Sequence, residues 1–190
     1  MEFVLASRNA NKLREMQSIL ADISLLPLPE TAPEVEETGK TFAENAILKA
    51  ASAASFTGLP AIADDSGLVV DALQGAPGIY SARYGGASCQ TDEERNALLL
   101  KNMQGVKDRG ARFVCVIALV YPDGTRILAE GICEGEITLA PCGEGGFGYD
   151  PIFHVTQAGK TFAELTDAQK NALSHRGKAL AKFRKKVLGG

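Results

Sequence analysis

The chain has 190 residues, of which 45% are hydrophobic and 23% are charged, as is typical of a globular protein. Its length predicts one domain, residues 1–190, with room for two lobes and a full core. A formal net charge of −3 argues against nonspecific electrostatic binding to DNA or RNA. The sequence contains no run of about 18 apolar residues, so we expect no membrane span.

The cysteines and the first residues indicate a cytoplasmic protein. Cys89, Cys115, Cys133 and Cys142 form no CxxC pair, and the chain has only two histidines, so we expect reduced thiols and no zinc site. The segment Met1–Leu5 lacks the features of a signal peptide.

The first predicted unit is a strand, a polar loop and a helix. Residues 3–6 predict the strand, and the loop runs from Ser7 to Lys12. Backbone N–H groups at such a helix start can receive a phosphate. Lys12 opposes the helix dipole unless it faces an anion, although a solvated lysine explains it equally well.

A Pro- and Glu-rich connection follows, from Pro27 to Lys40, and is typical of a solvated loop. If this loop folds over an acidic site, one of its glutamates could complete a metal site. Thr41 and Glu44 then form a capping box, which predicts a helix to about Phe56.

Two adjacent carboxylates, Asp64 and Asp65, are the most informative feature of the sequence. We expect a buried strand from residue 61 that ends at them, a turn at Ser66–Gly67, and a second apolar run to Asp71. Side-by-side carboxylates at the end of a strand need a compensating cation, and Mg²⁺ is the hard cation that suits oxygen ligands and phosphates. The alternative is a polar strand end in which one aspartate caps a turn.

The sequence after Asp71 predicts an ordered loop at Gly75–Gly86 and a capped helix from Thr91. A core strand is predicted at Arg112–Tyr121, a partner strand at Arg126–Cys133, and a further strand at Glu134–Leu139.

Two glycine motifs do not predict nucleotide-binding folds. Gly143–Gly148 fits GxGxxG but leads to a strand-like segment and not to a helix. Residues 39–41 and 159–161 read Gly-Lys-Thr but lack the earlier glycine of a P-loop. The shared GKTFAE predicts two helix starts. Near the C-terminus, His175 and Arg176 follow a possible N-cap, Ser174, and could donate to a carbonyl or an anion; an ordinary surface position is the alternative.

Five motifs, in one order, cover nearly the whole chain: SRNANKLREM, TFAENAILKA, ADDSGLVVDALQGAPGIYSARY, GGFGYDPIF and LSHRGKAL. Together they resemble the inosine/xanthosine triphosphate pyrophosphatase family. The resemblance implies an α/β fold with a curved mixed β-sheet flanked by helices, two lobes with a central cleft, and a homodimer. It also implies Mg²⁺-dependent hydrolysis of non-standard purine nucleoside triphosphates (ITP, dITP and XTP) to the monophosphate and pyrophosphate.

The resemblance also implies residue roles. Asp65 would be the catalytic carboxylate, and Glu37 with Asp65 would bind the metal, with Glu36 as the alternative glutamate. The implied substrate-binding residues are Ser7, Arg8, Asn9, Ala10, Asn11, Lys12, Lys49, Ser66, Phe147, Gly148, Tyr149, Asp150, Lys170, His175 and Arg176. The last seven would form the nucleobase pocket, in which His175 and Arg176 donate to the 6-carbonyl group of the base.

One position departs from the pattern, because the family often has Thr-Gly-Asn where this chain has Ser7-Arg8-Asn9. Arg8 lacks the freedom of glycine at positive φ. Two alternatives stay open: a pyrophosphatase acting on pyrimidine or other modified triphosphates, and a nucleotide sensor without turnover.

Overall fold

The computed structural model describes residues 2–189, which form two compact units. Unit 1 contains residues up to 66 together with 115–131 and the segment from 175 onward. Unit 2 contains Gly67–Val114 and Ile132–Ser174. None of the helices in residues 2–189 is long and apolar enough to cross a membrane.

Seven strands form one sheet in the order β2-β1-β3-β4-β5-β6-β7. The strands are β1 (Glu2–Leu5), β2 (Ser24–Pro27), β3 (Ala61–Val70), β4 (Gly110–Val120), β5 (Arg126–Ile137), β6 (Phe153–Val155) and β7 (Lys160–Thr161). The helices are α1 (Ala10–Ile19), α2 (Phe42–Thr57), α3 (Asp92–Asn102), α4 (Asp167–Leu173) and α5 (His175–Leu188). β1 pairs in parallel with β2 and β3, whereas β6 pairs antiparallel with β5 and β7. The predicted mixed α/β fold is confirmed.

Alternating side chains of β3 face two different cores in unit 1. Ile62 packs in a cluster with residues of α1 and α5. Its neighbours Ala61 and Ala63 pack in a second cluster with the alanines of α2. Successive side chains of a strand point to opposite faces, so the position of a residue along β3 decides which helices it meets.

The predicted turn at Ser66–Gly67 is wrong, because β3 continues without a break from Ala61 to Val70. Apolar residues on both sides explain why the strand continues: Ile62 is buried in one cluster of unit 1, and Leu68 and Val70 are buried in the core of unit 2. Burial of the flanking residues outweighs the local turn preference of Ser-Gly. The two aspartates therefore lie in the middle of a strand and not at its end.

The predicted division at Cys133–Glu134 is also wrong, because β5 is one strand from Arg126 to Ile137. Gly131 is inside it for a steric reason. A Cβ at this position would lie 2.1 Å from the carbonyl oxygen of His175 and 2.4 Å from the amide nitrogen of Ala179. Glycine thus allows the start of α5 to lie directly against β5.

The repeated GKTFAE motif has two different outcomes. At its first occurrence Thr41 caps the 16-residue helix α2, while the Glu44 carboxylate accepts from the Lys40 amide. At its second, Thr161 and Glu164 form a complete capping box on a 3₁₀ helix of only three residues. The motif therefore predicts a cap but not the length of the helix.

Candidate active site

Asp64 and Asp65 are buried at the centre of β3, with exposed fractions of 2% and 5%. As neighbours on a strand they point to opposite faces of the sheet. The expectation that they share one compensating cation therefore needs correction. Each carboxylate has cationic partners of its own, and all of these partners belong to unit 1.

Asp64 faces Lys12 of α1 and Arg176 of α5. Its Oδ2 lies 3.0 Å from Arg176 Nη2 and 3.2 Å from Lys12 Nζ. The same Nη2 donates to Ser66 Oγ at 2.9 Å, and Arg176 Nη1 donates to the Glu15 carboxylate. Burial alone would raise the pKa of Asp64, but the charges of Lys12 and Arg176 hold it well below its usual range. The two cations therefore favour the charged form of Asp64, and we call the Asp64–Arg176 pair the anchor.

Asp65 faces α2. Its Oδ2 accepts from Asn45 Nδ2 at 3.2 Å, and its Oδ1 lies 3.4 Å from Lys49 Nζ. Asn45 and Lys49 share a helix face because they are four residues apart. Burial raises the pKa of Asp65, and the nearby charges of Glu37 and Asp64 add to the effect against the opposing charge of Lys49. The neighbouring carboxyls thus have pKa values shifted in opposite directions.

Glu37 completes the acidic side of this site. Its Oε1 lies 2.6 Å from Lys49 Nζ, so the carboxylates of Glu37 and Asp65 converge on one ammonium group. Glu36, the alternative glutamate, is exposed to solvent. Within residues 2–189, no group of three or more His, Cys, Asp or Glu side chains is arranged to hold a metal.

The loop Ser7–Lys12 enters α1 with its own cap. Asn9 Oδ1 accepts from the amides of Asn11 and Lys12, at 3.0 and 3.1 Å. Two of the N–H groups expected to meet a phosphate therefore already have a partner in the chain. The side chain of Lys12 does face an anion, which is Asp64.

The residues predicted to form the nucleobase pocket divide between the units. In unit 2, Lys170 Nζ lies 2.6 Å from Asp150 Oδ2 and 4.4 Å from the ring centroid of Phe147. Asp150 Oδ2 also accepts from the Phe147 amide at 2.8 Å. His175 and Arg176 belong to unit 1 and are both buried. The guanidinium of Arg176 forms ion pairs with the carboxylates of Asp64 and Glu15. Hydrogen bonds from His175 and Arg176 to a base stay a prediction.

Two side chains of α3 hydrogen-bond to the backbone N–H and C=O groups of Gly148. Its N–H donates to Asp92 Oδ2 at 2.8 Å, and its carbonyl accepts from Asn96 Nδ2 at 3.0 Å. Tyr149, which the motif also placed in the pocket, is buried and donates its hydroxyl to the Ser81 carbonyl at 2.7 Å. The side chain of Tyr149 therefore packs in the core of unit 2.

Sequence reasoning missed four polar residues that hold these groups in place: Glu15, Asn45, Asp92 and Asn96. Two of them leave a recognisable pattern. Glu15 stands three residues after Lys12 on α1, and Asn45 stands four residues before Lys49 on α2, so each shares a helix face with a predicted site lysine.

Replacing Arg176 with leucine should lower the free energy of unfolding by about 3–5 kcal/mol, because it leaves the buried Asp64 charge incompletely paired. Arg184 of the same helix, which pairs with Asp22 at the surface, is the matched control, and its replacement with leucine should cost at most about 1 kcal/mol. Urea denaturation followed by circular dichroism measures both, and equal losses would contradict the anchor role.

The model of the Ham1 family matches residues 3–186 of the chain. A dITP/XTP pyrophosphatase of Nostoc sp. is 58% identical, over 94% of this chain and 90% of the relative. A solved Ham1 protein of Coxiella burnetii has a TM-score of 0.92 and 48% identity and covers 100% of both chains. That of Staphylococcus aureus has a TM-score of 0.90 and 44% identity and covers 100% of this chain and 99% of its own. The predicted family is confirmed: the chain belongs to the Ham1 family.

Proposed function

We propose that the protein hydrolyses ITP, dITP and XTP to the nucleoside monophosphate and pyrophosphate. Relatives named dITP/XTP pyrophosphatase, 47–58% identical over nearly the full length, support the substrate class. The observation that carries the chemistry is the convergence of Lys49 on two carboxylates, Asp65 and Glu37, beside the Asp64–Arg176 anchor.

The positive side chains of Lys12, Lys49 and Arg176 can offset the negative charge of a triphosphate. Lys12 and Lys49 are partly exposed, whereas Arg176 is buried. The two lysines can therefore exchange a carboxylate contact for a phosphate oxygen as substrate binds. Such cations offset the charge that develops on the phosphates during hydrolysis.

Asp65 acts as the proton acceptor. A water oxygen forms a bond to the α-phosphorus, the bond from that phosphorus to the pyrophosphate oxygen breaks, and the water proton passes to the Asp65 carboxylate. Asn45 fixes one oxygen of this carboxylate, so the other faces Lys49. Asp64 is the weaker base of the two, because the charges of Lys12 and Arg176 hold its pKa well below its usual range.

The oxygen donors fit a Mg²⁺ ion. Glu37 and Asp65 point at a common position that a positive group already occupies, the Lys49 ammonium. Protein sites for Mg²⁺ commonly use one or two carboxylates together with substrate phosphates and water. When bound there, the ion would neutralise phosphate charge and lower the pKa of a coordinated water.

We infer that Phe147 and Lys170 contact the base. Phe147 is half-buried and lies under the Lys170 ammonium, whose charge is balanced by Asp150. A cationic donor suits the 6-carbonyl acceptor of hypoxanthine and xanthine, whereas the 6-amino group of adenine is itself a donor. Arg176, another predicted donor to the base, pairs with Asp64, and its contact with the base stays a prediction.

We further propose a homodimer in the cytoplasm. The exposed apolar side chains of Leu48 and Phe56 on α2, with Leu59 just after it, support a protein partner on that surface. The cysteines of the described chain are free thiols, which suits a reducing compartment. Analytical ultracentrifugation tests the assembly.

Product analysis on a panel of ITP, XTP, ATP, GTP, CTP and UTP with Mg²⁺ tests the function, with pyrophosphate and phosphate scored separately. We expect monophosphate and pyrophosphate from ITP and XTP and little turnover of the other four. Pyrophosphate from pyrimidine triphosphates would overturn the base assignment alone. Binding without any product would instead establish a sensor.

Replacing Lys170 with methionine should reduce the preference for ITP over ATP in kcat/KM by at least about tenfold, because the donor to the 6-carbonyl is lost. Replacement of Lys160, an exposed lysine of unit 2, is the matched control and should leave the ratio unchanged. Thermal unfolding of both variants verifies that they fold. An equal loss of both activities would show that Lys170 is structural and not selective.

A further inference from the structure

Arg8 belongs to the loop Ser7–Lys12, which we call the phosphate loop, and its side chain contacts a different part of unit 1. Its Nη2 donates to the carbonyl oxygen of Ala32 at 2.7 Å and lies 3.4 Å from that of Glu30. Ala32 is buried although the residues on either side of it are exposed. The position that departs from the family pattern therefore carries a long-range contact, which a glycine there could not make.

The contacted segment, residues 28–41, connects β2 to α2 and contains no helix or strand. Its C-terminal end is fixed to α2, since the Gly39 amide donates to Asn45 Oδ1 at 2.8 Å and the Lys40 amide to Glu44 Oε2 at 2.6 Å. Arg8 holds the segment at Ala32, near its other end. Glu37 lies between these two attachments.

We propose that Arg8 is a positioning residue that ties the phosphate loop to the segment 28–41 and so holds Glu37 against Lys49. The inference rests on the proposed function, because Glu37 matters for turnover only if the acidic site is catalytic. A long irregular segment loses considerable conformational entropy when it is ordered. A guanidinium that donates to carbonyl oxygens offsets part of that loss, since hydrogen bonds to charged groups are stronger than neutral ones.

The tether also joins two parts of the site that must act together. The loop Ser7–Lys12 carries Lys12, and the segment carries Glu37. A phosphate that orders the loop therefore also favours the productive position of Glu37. This coupling needs the Arg8 side chain and not only the backbone of the loop.

Hydrogen–deuterium exchange on the full-length, ligand-free protein tests the tether without reference to activity. In Arg8→Ala, we expect the Ala32 amide, which donates to the Pro29 carbonyl oxygen at 3.0 Å, to exchange about tenfold faster than in the wild type, from loss of one charged hydrogen bond. Arg8→Lys should give an intermediate increase. Arg14→Ala, at an exposed arginine of α1, is the matched control and should leave this segment unchanged. Unchanged exchange in Arg8→Ala would overturn the proposal.

Kinetics on ITP then test whether the tether acts through Glu37. Arg8→Ala should lower kcat about fivefold, with a smaller change in KM. In a Glu37→Gln background the same substitution should have no further effect on kcat, because residues that act through one another are not additive. Faster exchange with unchanged kcat, or a raised KM with unchanged exchange, would each overturn the positioning role. If the wild type hydrolyses no triphosphate, the proposed function fails, while the exchange result still decides the tether.

Discussion

The burial of two consecutive carboxylates in the middle of β3 is the constraint on which the rest of unit 1 depends. A buried carboxylate is costly unless charges and hydrogen bonds compensate it. Because neighbours on a strand face opposite ways, the chain needs two separate sets of partners, one on each face. Helices α1 and α5 supply Lys12 and Arg176 to one carboxylate, and α2 supplies Asn45 and Lys49 to the other.

The two carboxylates have different environments on the two faces of the strand. On the Asp64 side, full burial of the guanidinium and short contacts give a pair that stays charged, and Glu15 adds a further carboxylate to Arg176. On the Asp65 side, the partner lysine is shared with Glu37 and is partly exposed, so its contacts can be exchanged. The Asp64–Arg176 pair thus lies directly beside the carboxylate to which we assign proton transfer. Gly131 contributes to the anchor because it lets the start of α5, and therefore Arg176, approach β5.

Much of this could be predicted from the sequence, and the failures share one cause. The α/β fold and the cap of α2 follow from periodicity and local hydrogen bonding, and motif resemblance pointed to Lys12, Lys49, Glu37 and Asp65. The continuity of β3 could not be predicted, because the local turn preference of Ser66–Gly67 is outweighed by burial of distant residues. The partner of Asp64 was missed for a similar reason, since Arg176 lies 112 residues away along the chain. Local patterns contain no information about such pairings.

The central claim is that neighbouring aspartates have separate duties, Asp64 as a structural anchor and Asp65 as the reacting group. Measuring stability and turnover together in Asp64→Asn and Asp65→Asn tests it most directly. Folding favours the charged form of Asp64 and disfavours that of Asp65, as the opposite shifts of their pKa values indicate. Asp64→Asn should therefore lower the free energy of unfolding by several kcal/mol, about 3 or more. Asp65→Asn should change it by no more than about 1 kcal/mol and yet reduce kcat at least about a hundredfold. Equal losses of stability, or wild-type turnover in Asp65→Asn, would contradict the account.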